Sequence, residues 1–170
     1  WAVIRHTNPV PNSTTINSWL EWAPGAQMKW DAPISCMLMG GLADGTQLEM
    51  EVFFFPVDRP EEIGKLKSLE LTGAWINEAA EIPKAVFDMV TQRVGRYPPL
   101  RTGGPSWSGV LLDTNPPDDD HWYYRIAERE KPKDWRFFKQ PGGLKEENGE
   151  YVENASAENV SNLPNGYNYY

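Results

Sequence analysis

The sequence has one cysteine, Cys36, and two histidines, His6 and His121. A lone cysteine forms no internal disulfide, and its place in the apolar run Ile34–Ala43 suits a small buried hydrophobe in a reducing compartment. The three residues share no metal-ligand spacing, so no zinc site is assigned to them. That apolar run is the longest in the chain, about half of the ~20 residues a membrane-spanning helix needs, so no membrane segment is expected. The opening Trp1-Ala2 has no initiator Met, basic leader or small-residue cleavage site. No signal peptide is therefore expected, and the chain reads as an excerpt from a longer protein. Positive charge is also scarce. Sixteen Lys and Arg against 24 Asp and Glu leave a net charge of −8, so the stretch as a whole has no electrostatic pull toward nucleic acid or anionic lipid. No internal repeat and no low-complexity tract is present.

Apolar material is plentiful by contrast. The 170 residues are 40% hydrophobic and include eight Trp, seven Tyr and six Phe, enough to order one domain core. Trp1–Thr7 reads as a buried strand ended by a Pro-Asn-Ser cluster. Ser13–Trp22 reads as a helix, with Ser13 or Thr14 as N-cap, Ile16, Trp19 and Leu20 on one face, and Pro24-Gly25 as the stop. Ile34–Met39 and Thr46–Phe55, separated by Gly and Asp-Gly signals, predict an inserted antiparallel hairpin. Further elements are a short helix over Asp58–Ser68, a strand over Leu71–Ile76, a helix over Pro83–Val94 with Gly95 as its end, and a long loop over Tyr97–Ser108. A strand over Val110–Asp113, a helix over Trp122–Arg129 opened by Asp118–Asp120, and a last strand over Trp135–Lys139 complete the order. From Lys145 to Tyr170 there is one Lys against five Glu, with few aliphatics. Residues 145–170 are therefore expected to be an acidic lead-in or linker, and residues 1–144 the domain.

Two expected strands end in polar residues: Ile76 in Asn77-Glu78, and Leu112 in Asp113-Thr114-Asn115. Ligands of open parallel sheets bind beyond the carboxyl ends of the strands, so such ends can converge on one site. There a carboxylate can orient a water, and a hydroxyl or amide can sense a phosphate oxygen. The plainer alternative is that Glu78 caps the following helix and Asn115 makes a turn before Pro116. The acidic run Asp118–Asp120 fans out in three directions and reads as helix-start charge rather than a metal cluster.

These residues lie in runs that occur in a particular order: LKSLELTGAWINEAAEIP, RVGRYP, LLDTNPPDDDHWYY, KQPGG and NLPNGY. Together they resemble the large terminase subunit of tailed double-stranded DNA bacteriophages. The opening WAVIRHT with TTINSWLEW is similar to that family's second core strand and the helix after it. The resemblance implies an α/β fold, an ASCE-type P-loop NTPase with a mainly parallel sheet flanked by helices, an inserted antiparallel hairpin, and an incomplete core. It makes Gly73–Ile76 the Walker B strand. Asn77 then stands where the family carries the Asp that holds hydrated Mg²⁺, and Glu78 stands as the base that polarises the attacking water. An amide accepts from a metal-bound water but brings no negative charge. Thr114 and Asn115 match the family's coupling motif, on a strand expected between the Walker A and Walker B strands.

The phosphate-cradling motif G-x-x-x-x-G-K-[ST] is not found; Gly64-Lys65 is followed by Leu66. ATP and Mg²⁺ are thus cofactors expected of the complete protein, these residues alone are expected to be inactive, and the family's nuclease domain would follow Tyr170. Arg5, Arg93 and Arg96 are candidates for a phosphate contact or arginine finger, in this subunit or a neighbour. Arg59, Lys65 and Lys67 form a second basic cluster, and Arg101 lies in a Gly-rich loop that could face DNA. The partners implied are double-stranded DNA, a portal protein, a small terminase subunit and further copies in a ring, with no membrane, in the cytoplasm of an infected bacterial host. Two other readings compete. One is a catalytically dead remnant of the same fold. The other is an acidic, aromatic-rich carbohydrate-active or carbohydrate-binding domain, with Glu78 and Asp113 as its carboxylates.

Overall fold

The computed structural model describes residues 1–6, 14–57 and 60–157, the side chains of 60–62 excepted. The candidate cap Ser13, Arg59 and the NLPNGY run lie outside the described residues. The chain divides into two compact units, Trp1–Arg129 and Glu130–Tyr170.

The first unit is built on a six-stranded sheet. Its strands are β1 (Ala2–Arg5), β2 (Gln27–Lys29), β3 (Ser35–Gly41), β4 (Gln47–Pro56), β5 (Gly73–Ile76) and β6 (Gly109–Leu112), in the order β2-β3-β4-β1-β5-β6. β4, β1, β5 and β6 run parallel, while β2-β3 and β3-β4 are antiparallel. The predicted hairpin is present, and it is not a separate insertion. Phe53–Pro56 of β4 pair directly with Ala2–Arg5, so its second strand belongs to the parallel sheet. The short third strand β2 had no sequence signal of its own. The helices are α1 (Thr14–Trp22), α2 (Pro60–Leu66), α3 (Lys84–Thr91) and α4 (Trp122–Tyr124).

Side chains alternate across a strand, so residues in register share a face. Val3, Phe54 and Trp75 occupy one register row, and the first two join Ile16, Cys36 and Val52 in a core cluster, with Trp19, Leu20 and Trp75 packed against it. Burial pushes the Cys36 thiol up from its ordinary range, as expected for a packing residue. The next row, Ile4 with Ile76, points to the opposite face and is fully buried. Leu66 of α2 and Val86, Phe87 and Val90 of α3 supply further core there, outside the first cluster.

Two expected elements differ. The helix at Trp122 begins where predicted, but after one turn it widens into a π-helix over Arg125–Glu130. His121 caps it, its Nδ1 accepting from the Tyr123 amide at 3.1 Å. Trp122 is pinned by its indole N–H on the Ile82 carbonyl at 2.9 Å and by stacking on Phe87. The strand expected over Trp135–Lys139 is not formed. Its alternation is real, since Trp135 and Phe137 stack on each other at 5.7 Å and Phe138 is 91% exposed. Period two alone does not supply a neighbouring strand to pair with. The second unit carries instead a hairpin of β7 (Leu144–Glu147) and β8 (Glu150–Glu153), straddling the start of the stretch 145–170 expected to be a lead-in, with Asn148 and Gly149 at positive φ in its turn. No described helix is long and apolar enough to cross a membrane.

Candidate functional site

Three register rows cross β1, β5 and β6 on the face that α1 covers. At the start of the strands, Gly73 pairs with Gly109. A Cβ on Gly73 would fall 2.6 Å from the Trp1 ring, and one on Gly109 2.7 Å from the Trp107 ring. The two indoles stack at 5.7 Å, so glycine is what admits them. The middle row is Val3, Trp75 and Leu111. Two residues on, the same period places Arg5, Asn77 and Asp113 side by side at the carboxyl ends of the strands.

These three are joined by hydrogen bonds. Arg5 Nη1 donates to the hydroxyls of Thr14, at 2.7 Å, and Thr15, both in the first turn of α1. Thr15 Oγ1 donates to Asn77 Oδ1 at 2.7 Å. Asn77 Nδ2 donates to Asp113 Oδ2 at 2.9 Å, and Trp75 Nε1 donates to Asp113 Oδ1. The amide orientation follows from its partners, because a carboxylate accepts only. Arg5 Nε is buried without a hydrogen-bond partner.

An open cleft of about 350 Å³ lies over this network. Its walls include Arg5, Thr15, Trp22, Asn77, Glu78 and Asp113. Trp22 is 72% exposed and its ring meets Trp75 at 5.5 Å. Glu78 follows β5 with φ 55 and ψ 55, a left-handed conformation that costs a non-glycine residue about 1 kcal/mol or more. The sharp turn is held by the Ala79 amide donating to the Asp113 carbonyl at 2.9 Å and the Ala80 amide donating to Thr114 Oγ1 at 3.1 Å. Thr114 Oγ1 in turn donates to the Asn115 carbonyl. The Glu78 side chain does not cap the following 3₁₀ turn, Ala79–Glu81. Glu78 forms part of the cleft wall, and its carboxylate makes no hydrogen bond among the described residues.

Asn77, Glu78 and Arg5 thus share one cleft, and Thr114 braces the turn that follows Glu78. Arg93 and Arg96 are elsewhere. The Arg93 carbonyl accepts from the Leu71 amide, and the Arg96 amide donates to the Leu71 carbonyl. Both therefore sit before the start of β5, about 20 Å along the chain from Asn77 at ~3.3 Å per residue. Within this chain Arg93 and Arg96 are not brought to the cleft that Arg5 lines. The Arg96 side chain is engaged by the Gln92 carbonyl at 2.8 Å. Sequence reasoning missed Thr15 and Trp75 as partners of the polar row. It brought the strand ends carrying Asn77 and Asp113 to one site but gave them no bond to each other. The signal available was the two-residue step from Trp75 and Leu111 to Asn77 and Asp113. Among the described residues no group of three or more His, Cys, Asp or Glu side chains could hold a metal ion by itself.

No protein-family model matches the sequence, and no curated protein matches it significantly. Solved structures do. The large terminase of a thermophilic bacteriophage, in a complex with ADP, superposes with a TM-score of 0.52 at 17% identity, over 78% of this chain and 29% of that one. Another crystal form of the same phage enzyme superposes with a TM-score of 0.50 at 15% identity, over 74% of this chain and 29% of that one. The chain has the large-terminase fold. It spans under a third of the length of these terminase chains. The shared arrangement is a mostly parallel sheet with flanking helices and an antiparallel hairpin, and the polar cleft of this chain stands at the carboxyl ends of its parallel strands.

Proposed function

We propose that the chain is the middle portion of the ATP-hydrolysing domain of a phage DNA-packaging motor, and that the Arg5–Asn77–Glu78–Asp113 cleft is the water-activating side of its nucleotide site. The observation that carries this reading is the placement of Glu78. A strained turn sets Glu78, its carboxylate untethered among the described residues, in the cleft wall beside a hydrogen-bonded polar row at the ends of adjacent parallel strands. A carboxylate held free of partners can accept a proton from an attacking water. The phage terminase that superposes on this chain is a complex with ADP, which supports a nucleotide as the ligand.

Each residue takes a role consistent with its contacts. Glu78 is the base. Arg5, fixed by Thr14 and Thr15 and lining the cleft, meets a phosphate oxygen. Thr114 ties the Glu78 turn to β6 through Ala80, so a displacement at Asn115 is passed to the base, as a coupling motif requires. The oxygen-only donors of the cleft, Asp113 and Glu78, suit a hard hydrated cation such as Mg²⁺, which when bound would neutralise phosphate charge. The G-x-x-x-x-G-K-[ST] cradle is not in these 170 residues, so hydrolysis belongs to the longer gene product. Double-stranded DNA, a portal protein, a small terminase subunit, neighbouring copies in a ring and the host cytoplasm are part of this proposal. Arg93 and Arg96, remote from their own cleft, remain available to a neighbour's.

The test is DNA-stimulated ATP hydrolysis by the full-length gene product and its Glu78→Gln variant. Turnover falling by a factor of about 10² to 10⁴ with ATP binding retained supports the assignment; unchanged turnover removes it. One observation favours a second reading: Glu78, Asp113 and the exposed Trp22 line a single cleft, as a carbohydrate site would require. Protection by oligosaccharides with no response to nucleotide would select that reading.

A further inference from the structure

Position 77 carries an amide where a negative charge toward the metal is expected, and the network around it shows where a charge is available. The single oxygen of the Asn77 side chain is engaged by the Thr15 hydroxyl, and its NH₂ is turned to Asp113. Asp113 stands in the same row on the next strand. Each of its oxygens accepts one bond, from Trp75 and from Asn77, which fixes the group and leaves about half of its acceptor sites unused. It is exposed and lines the cleft. Glu78, the other carboxylate there, is untethered and suited to receiving a proton. Asp113 is tethered and suited to holding a fixed charge.

The geometry points to Asp113 as the residue that holds the water shell of the nucleotide's divalent cation, the charge having moved from the end of β5 to the end of β6. This rests on the nucleotide-site reading above. Hydrogen-bond direction makes the idea specific. Exchanging the two residues, Asn77→Asp with Asp113→Asn, conserves every bond: the carboxylate introduced at position 77 accepts from Thr15 and from the new amide at 113, whose oxygen accepts from Trp75. Either single change breaks the pattern. Asp113→Asn opposes two NH₂ groups unless one amide turns over, and Asn77→Asp opposes two carboxylates.

The experiment measures affinity of the full-length gene product for ADP by calorimetry, with and without Mg²⁺, for wild type, Asp113→Asn and the exchanged double variant. Circular dichroism and metal-free ADP binding report whether each site is intact. The proposal reads, within each variant, the ratio of ADP affinities with and without Mg²⁺, so that a change in metal-free affinity cancels. It expects the enhancement by Mg²⁺ to fall about tenfold in Asp113→Asn, as for loss of an outer-sphere metal partner, and to return in the double variant. Full Mg²⁺ enhancement in Asp113→Asn, or a double variant that binds ADP without metal as wild type does yet stays unresponsive to Mg²⁺, overturns it and leaves the nucleotide-site reading standing. A wild-type protein that binds no nucleotide under either condition overturns both.

Discussion

The two ends of the same three strands are built on opposite principles. At the start of β5 and β6, Gly73 and Gly109 give up side chains so that the Trp1 and Trp107 rings can lie flat against the backbone. At the finish, Arg5, Asn77 and Asp113 fill the row with polar groups that satisfy one another. Only two residues of alternation separate each end from the apolar row Val3–Trp75–Leu111 between them. Ring packing occupies the start of the strands, and the polar cleft opens at their carboxyl ends, which is where open parallel sheets place their ligands.

That division is broken most severely at Glu78. The Glu78→Gln variant loses turnover by the factor given above while its melting temperature stays near wild type, since the side chain has no hydrogen bond to lose among the described residues. The opposite result is expected at the other end. Gly73→Ala forces Cβ into the Trp1 ring and costs about 1–3 kcal/mol by overpacking, measured by urea unfolding, with little effect on nucleotide affinity. Gly109→Ala costs less, because Trp107 is 55% exposed and can swing aside.

A smaller effect sharpens the comparison. Asn77→Asp places two carboxylates in hydrogen-bond contact at an exposed site and costs about 1 kcal/mol at neutral pH. One of the two carboxyls is then raised in the folded protein. Stability is full below its unfolded value and lost as pH rises through the folded one, so the defect disappears on acidification and in the exchanged double variant. Glu78→Gly relieves the left-handed strain, offset by the greater freedom of the unfolded chain, for a net gain between zero and about 1 kcal/mol. The smallest effect is at Tyr123, whose hydroxyl is pushed up by burial, then by the Asp113 and Glu128 charges. Its neutral form supports folding fully below the ordinary value of 10.0. That support is lost as pH rises through the raised value, and Tyr123→Phe removes this alkaline limb.

Much of this was legible in the residues. Val3, Ile4, Ala74 and Ile76 read as buried strands because they are short, apolar and bounded by turn signals, and Ile16, Trp19 and Leu20 declared the buried face of α1. Glu78 was legible as a strand-end carboxylate. What escaped was information that exists only between strands. Nothing local in Gln27–Lys29 marks β2; three alternating residues become a strand only because β3 offers an edge. Trp135–Lys139 is the converse, alternation without a partner. Asn77 and Asp113 stand 36 positions apart, and their bond follows from the β5–β6 register, which no local pattern encodes. Arg93 and Arg96 looked close to the site because they follow it in sequence, whereas α3 carries the chain back to the start of β5.

Trp75 has one further consequence. Its indole N–H rests on Asp113 while its ring meets Trp22 at 5.5 Å and an interplanar angle of 33°. Two transition dipoles held that close and that tilted couple, so the pair gives the protein a chiral optical signature located at the cleft. Near-ultraviolet circular dichroism, read as the difference between wild type and Trp22→Phe, therefore reports on the wall of the cleft without a label.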